Sequence, residues 1–208
     1  MITLRTKEIS QPNVLVVEGP DDNHFFAAFV RHLELRNVQI VDIGGKTQYR
    51  NRLGAVTKLR GFAENAASLA LVRDANSDPS GAFQSVRDAL DALGLHAPPT
   101  PLLLGGSNPQ VIVTILPGPG QPGTLEDLYL KTVHGDAAMA CVERYFECLQ
   151  GQGVPWPRQL SKAKVQAFLA SSPEADARPG IAAERGYWPW DADILEDVKT
   201  FLQTFASQ

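Results

Sequence analysis

The sequence predicts an α/β fold: a four-stranded, mainly parallel sheet flanked by helices, with a helical C-terminal part. Three observations predict it. Short β-branched apolar runs alternate with stretches of helical period; each run stops at a turn or an acidic residue; and beyond residue 124 only helical periodicity remains. The 208 residues are 44% hydrophobic and 20% charged, an ordinary globular composition long enough to bury a substantial core. The expected organisation is an α/β core over residues 1–130 and a helical extension over 131–208 packed on it.

Taken in order, residues 14–17 are an unbroken β-branched run between Asn13 and Glu18-Gly19-Pro20, which reads as a buried strand ending in a turn. A helix follows. Pro20 suits its first turn, Asp21 and Asp22 suit its positive end, and Phe25, Phe26, Phe29, Val30 and Leu33 recur on one face. Residues 38–43 read as a second strand closed by Gly44 and Gly45, after which Tyr49, Leu53, Val56 and Leu59 mark the inner face of a helix. A third strand over 69–73 stops at Asp74, and a helix over 82–93 carries Phe83, Val86, Leu90 and Leu93. The Pro- and Gly-rich residues 94–110 read as a connection, and residues 111–116 as the fourth strand, closed by Pro117-Gly118-Pro119-Gly120. Helices are expected over 125–133, 136–150, 161–170 and 191–206.

No apolar run reaches membrane-spanning length, and the first ten residues lack the apolar segment of a secretory signal, so the expectation is a cytoplasmic protein without a membrane partner. Cys141 and Cys148, seven apart in a helical pattern, are expected as buried, reduced thiols; no Cys/His spacing suits structural zinc. The net charge of −4 excludes a globally basic nucleic-acid coat, but the charge is uneven. Residues 44–63 hold five basic residues and no acid, whereas Glu18, Asp21 and Asp22 cluster. A solvated helix face would explain the basic stretch; an acidic cluster beside it also suits a phosphate substrate held next to a metal. In that second reading Lys46 and Arg50, four apart on one helix face, contact nucleic acid.

Two acids follow predicted parallel strands directly: Glu18 after the first and Asp74 after the third, the latter trailed by Asn76 and Asp78. Ligands of open α/β sheets bind at the carboxyl ends of strands, and carboxylates without His or Cys partners suit a hard cation such as Mg²⁺ or Mn²⁺. Asp74 and Asp78 would equally cap the next helix. Glu126 and Asp127, past the fourth strand, are a further candidate pair, although Thr124 to Asp127 also fits a capping box. Gly44-Gly45-Lys46-Thr47 is not a phosphate-binding P-loop, because residue 40 is Ile where that motif needs Gly. An EF-hand is excluded as well, since residue 85 is not Glu. His24 and His32 lack a second ligand at metal spacing, and Trp188 and Trp190 are read as packing residues before base-stacking ones.

These motifs in this order — Glu18-Gly19-Pro20-Asp21-Asp22, Gly44-Gly45-Lys46, Arg73-Asp74-Ala75-Asn76-Ser77-Asp78, Leu116-Pro117 and Gly123 to Asp127 — resemble the Toprim-like proteins of the DUF3226 group. More distantly they resemble the Toprim domains of overcoming-lysogenisation-defect (OLD) nucleases, topoisomerases and bacterial primases. The resemblance implies a Toprim-like, Rossmann-like sheet and Mg²⁺-supported phosphodiester chemistry, with Glu18 as the family's Glu and Asp74 as the first Asp of its Asp-x-Asp. The second Asp is Asn76 here, a neutral oxygen donor, with Asp78 as the substitute. By the same resemblance Glu126 and Asp127 are further metal ligands, Lys162 (or Lys164) is the late catalytic lysine, Glu18 is an alternative general acid or base, and an ATPase is a partner. The implied activity is nuclease-type. The alternative is a non-catalytic module that binds nucleic acid or nucleotide, or serves as a subunit, and a receiver-like signalling domain is disfavoured by the absence of a fifth parallel strand.

Overall fold

The computed structural model describes residues 4–45, 49–174 and 178–208. Within them the chain forms a five-stranded, mostly parallel sheet with helices on both faces, the predicted α/β class in Rossmann-like form. The strands are β1 (Asn13–Val17), β2 (Val38–Asp42), β3 (Ser68–Asp74), β4 (Leu104–Gly105) and β5 (Gln110–Leu116), in the spatial order β2-β1-β3-β5-β4. The first three and β5 pair in parallel. The fifth strand is one more than expected: β4 lies inside the connection read as irregular, and pairs antiparallel at the edge through Leu104 and Gly105.

The helices are α1 (Pro20–His32), α2 (Tyr49–Val56), α3 (Phe62–Asn65), α4 (Pro79–Asp91), α5 (Leu125–Thr132), α6 (Ala137–Gly151), α7 (Leu160–Leu169), α8 (Pro179–Glu184) and α9 (Glu196–Ala206). Strand alternation sorts the core into two layers. Leu15, Val17, Ala70, Val72, Ile112 and Leu116 face α1, α5 and the C-terminal helices. Val14, Val16, Leu69, Leu71, Val111, Val113 and Ile115 face α2 and α4. The first layer is aromatic: Phe25, Phe26 and Phe29 of α1 meet Tyr129, Trp188 and Trp190, with Tyr129 stacked on Trp188 at 4.4 Å and Phe29 on Trp190 at 4.9 Å. Both tryptophans are thus packing residues, as expected. Gly180 lets α8 close on α1, because a Cβ there would sit 2.8 Å from the His24 Cβ and 2.9 Å from the Asp21 carbonyl oxygen.

The expected helix over 191–206 is split into a short 3₁₀ turn (Asp193–Leu195) and α9. The cysteine expectation is corrected. Cys141 and Cys148 are exposed free thiols, because α6 buries the stripe Met139, Val142 and Phe146, and neither cysteine falls on it. No helix among the described residues is long and apolar enough to cross a membrane.

The strand order decides where a ligand belongs. From β1 the chain crosses to β2 on one side, then returns past β1 to β3 and goes on to β5. The order therefore reverses between β1 and β3, and a crevice opens at the carboxyl ends of strands at such a switch point. Glu18 and Asp74 stand at those two ends.

Candidate functional site

A cleft of about 690 Å³ occupies the switch point, lined by the β1 and β3 ends and the entry of α5 on one side and the start of α7 on the other. It brings together Glu18, Asp74, Asn76, Glu126, Asp127 and Lys162 of the residues expected from sequence. It adds two that were not singled out as site residues, Asp22 and Arg158.

Each acid is held by local structure. Glu18 closes β1, and its carbonyl accepts the Gly45 N–H. Asp22 lies in the first turn of α1 and folds back on the preceding turn, its Oδ2 within 3.3 Å of where a Cβ on Gly19 would stand. Asp74 ends β3 on the α5 side, and its Oδ1 accepts the Leu125 N–H at 3.0 Å. It does cap a helix, but α5 and not the next helix in sequence. Asn76 has a φ of 51°, in the left-handed region that Asn tolerates better than most residues. Its backbone exchanges two 2.7 Å hydrogen bonds with Gly123, which ties the β3 loop to the entry of α5.

The turn at Asn76 swings Asp78 away. Asp78 is the N-cap of α4, accepting the Gly81 N–H at 2.9 Å, and it does not line the cleft. At the start of α5 the predicted capping box is present: Asp127 Oδ2 accepts the Thr124 N–H at 2.8 Å and the Thr124 side chain accepts the Asp127 N–H; the Thr124 hydroxyl also donates to Glu126 at 2.8 Å. Gly123 is required there, since with φ at 137° a Cβ would come within 2.8 Å of Asp127 Oδ2. The other Asp127 oxygen accepts the Ser161 hydroxyl and so clamps α7 to α5. Lys162 is exposed on the cleft wall, while Lys164 is engaged with Glu143 on α6. Arg50 lines a different groove, and Lys46 lies outside the described residues.

The electrostatics of the cleft are unbalanced. Burial, with repulsion from Glu18 and Glu126, raises the Asp22 carboxyl from 3.8 to about 7. Burial, with repulsion from Asp22, Glu18 and Glu126, raises Asp74 from 3.8 to about 8. Among the described residues no three His, Cys, Asp or Glu side chains converge as a ready-made metal cage. The donor set is nevertheless all hard oxygen, and Mg²⁺ characteristically takes one or two carboxylates and completes its shell with water and substrate phosphate. Glu18 and Asp74, with Asp22 and Glu126 behind them, fit such an open site and do not fit a closed all-protein one.

The family model described as "Protein of unknown function (DUF3226)" matches residues 12–207, from the first strand to the last helix. The chain belongs to the DUF3226 family. Neither the curated proteins nor the solved structures provide a match. The DUF3226 match covers every element that lines the cleft, so the acid-lined switch point lies wholly inside the family's extent.

Proposed function

We propose that this DUF3226 chain is a Toprim-like, Mg²⁺- or Mn²⁺-dependent phosphodiester-processing protein of nuclease type. The observation that carries the reading is the gathering of Glu18, Asp22, Asp74 and Glu126 at the switch point, where burial and like charge raise two carboxyls into the neutral range. A divalent cation there relieves that repulsion. When bound, it supplies Lewis-acid polarisation of a phosphoryl oxygen and an activated water.

The residues of the chain do the rest. Glu18 and Asp74 hold the cation from adjacent strand ends, and Glu126 stands across the cleft for a second one or for an ordered water. Asp127 is committed to Thr124 and Ser161, so its role in this reading is to position α5 and α7. Arg158 and Lys162 face the acids from the α7 side and neutralise charge developing on the phosphate. An ATPase partner belongs to the same proposal through the OLD resemblance.

A second reading, a non-catalytic phosphate- or nucleic-acid-binding module, is favoured by Asn76 in place of an acid and by the lack of a converged triad among the described residues. One experiment separates them. Saturating Mg²⁺ or Mn²⁺ raises the melting temperature of the wild type by several degrees and that of Glu18→Gln by little, and cleavage of labelled oligonucleotides requires the same ions. A melting temperature indifferent to both ions overturns the metal site. Stabilisation without cleavage of single- or double-stranded DNA or RNA selects the second reading.

A further inference from the structure

On the opposite face of β3 from Asp74, Arg73 points into a separate groove of about 580 Å³ between α2 and α4, lined also by Tyr49, Arg50, Gly81, Gln84 and Asp88. The Arg73 guanidinium lies over the Tyr49 ring, its carbon 4.6 Å from the centroid. The ring holds the guanidinium in place while leaving its donors unused. Among the described residues Arg73 makes no ion pair, and its Nη1 is buried without a hydrogen-bond partner. The Tyr49 hydroxyl beside it is also buried and unpartnered.

A partly buried guanidinium with an unpartnered donor and no ion pair is costly, and native structures rarely leave one so. Asp88, the carboxylate that lines the groove, accepts from Gln84 Nε2 at 2.7 Å and forms no ion pair with Arg73 or Arg50. Arg50, exposed at the start of α2, adds a second guanidinium on the same groove.

We propose that this groove is a phosphate subsite, with Arg73 as the fixed receptor and Arg50 as the mobile one. A planar fork held against an aromatic ring matches the oxygens of a phosphoryl group in bidentate fashion. Two such forks on one groove suit a phosphate's several oxygens, whereas a carboxylate fills only one. The subsite lies across the sheet from the acidic cleft and does not require that cleft to hold a metal.

The phosphate comes either from a free or terminal phosphoryl group or from the diester of a nucleic-acid backbone, and the test separates these sources. Inorganic phosphate, a nucleoside 5′-monophosphate and a short single-stranded oligonucleotide without a terminal phosphate are titrated into the metal-free chain. Binding is followed by calorimetry and by the Nε–Hε resonance of Arg73. At least one probe moves that resonance; Arg73→Gln weakens its binding about tenfold or more, Arg50→Ala by less, and Arg73→Lys recovers only part. Response to the small phosphates defines a terminal-phosphate subsite, and response to the oligonucleotide alone defines a backbone one. The proposal is overturned if no probe moves the resonance, or if Arg73→Gln binds as the wild type does. Should Arg73→Gln fail to fold, the wild-type resonance together with Arg50→Ala, a substitution at an exposed position, still decides.

Discussion

Arg73 and Asp74 are neighbours at the end of one strand, yet they serve two regions with opposite problems. On the Asp74 side, α1 and α5 bring carboxylates together without enough positive charge to balance them. On the Arg73 side, α2 and α4 enclose a guanidinium that makes no ion pair, although Asp88 lines the same groove. Had the two met they would have formed an ion pair; the two-residue period of the strand sends them to opposite faces. The sheet therefore keeps Arg73 from pairing with Asp74, although Glu18 acts on both Asp74 and Tyr49. Neither imbalance helps the fold, which rests on the two apolar layers below; in the two readings proposed above, each receives a ligand of opposite sign.

The largest expected effect breaks the acidic side of this comparison. Asp22 and Asp74 have folded pKa values raised well above the unfolded carboxyl value, so the fold binds their protons more tightly than the unfolded chain does. The sign follows: their contribution to stability is full below about pH 4 and is lost as pH rises towards 8. Without divalent ions the melting temperature should fall across that window. Asp74→Asn keeps an oxygen for the Leu125 N–H and removes the charge, so at pH 8 it should melt higher than the wild type, by roughly 2–4 °C per kcal/mol relieved. Saturating Mg²⁺ should reverse the order, because only the wild type retains the charged ligand. Neither Asp22 nor Asp74 owes its raised value to Arg73, so Arg73→Gln should leave the shape of the pH profile unchanged. A flat wild-type profile would mean that water already relieves the cleft, and the contrast between the two sides would collapse.

How much of this was legible in the sequence depended on period. The four longer strands and α1, α4 and α5 repeat apolar residues often enough to be read, and Glu18 and Asp74 were found because strand ends were found. The two-residue β4 carries no periodic signal inside a Pro- and Gly-rich connection, and the six-residue α8 opens on Pro179-Gly180, which reads as a turn. Asp22 was visible as an acid suited to a helix start and as part of an acidic cluster with Glu18 and Asp21, but not as a site residue in its own right. Its place in the cleft comes from the tight Gly19-Pro20 turn, which folds the first helical turn back over the strand end. Asp78 shows the reverse. The spacing Asp-x-Asn-x-Asp looks like one ligand loop, but a single positive φ at Asn76 sends the last acid to α4. Arg158 sits in a Gly- and Pro-rich stretch before α7 with no local signal, and the Asp127–Ser161 clamp brings it near the acids.

A smaller effect sharpens the acidic side. Asn76→Asp adds a carboxylate to a cleft wall that already repels itself, while the left-handed backbone accepts Asp nearly as well as Asn. Mg²⁺ affinity measured by calorimetry should rise severalfold, and metal-free stability should fall by less than about 1 kcal/mol. An unchanged affinity would assign residue 76 to the turn alone, where its backbone pairs with Gly123.

The smallest effect tests whether the acidic side is held together from outside the sheet. Ser161 donates to Asp127 Oδ1, and Asp127 in turn anchors the entry of α5 through the Thr124 N–H. That chain of contacts is what sets Arg158 and Lys162, on either side of Ser161, against the carboxylates. Ser161→Ala removes one hydrogen bond to a charged oxygen but leaves the capping box intact, so stability should fall by about 1 kcal/mol, roughly 2–4 °C. Mg²⁺ affinity should stay as in the wild type, because Glu18 and Asp74 hang from β1 and β3 and not from α7. Affinity for a phosphate probe in the presence of Mg²⁺ should drop, since the cationic wall loses its fixed distance from the cation. If Mg²⁺ and phosphate affinities fall together, the carboxylates depend on α7 as well. The acidic cleft would then be a joint product of sheet and C-terminal helices, while the Arg73 groove, built from α2, β3 and α4 alone, would be the only one of the two fixed by the sheet and its own crossovers.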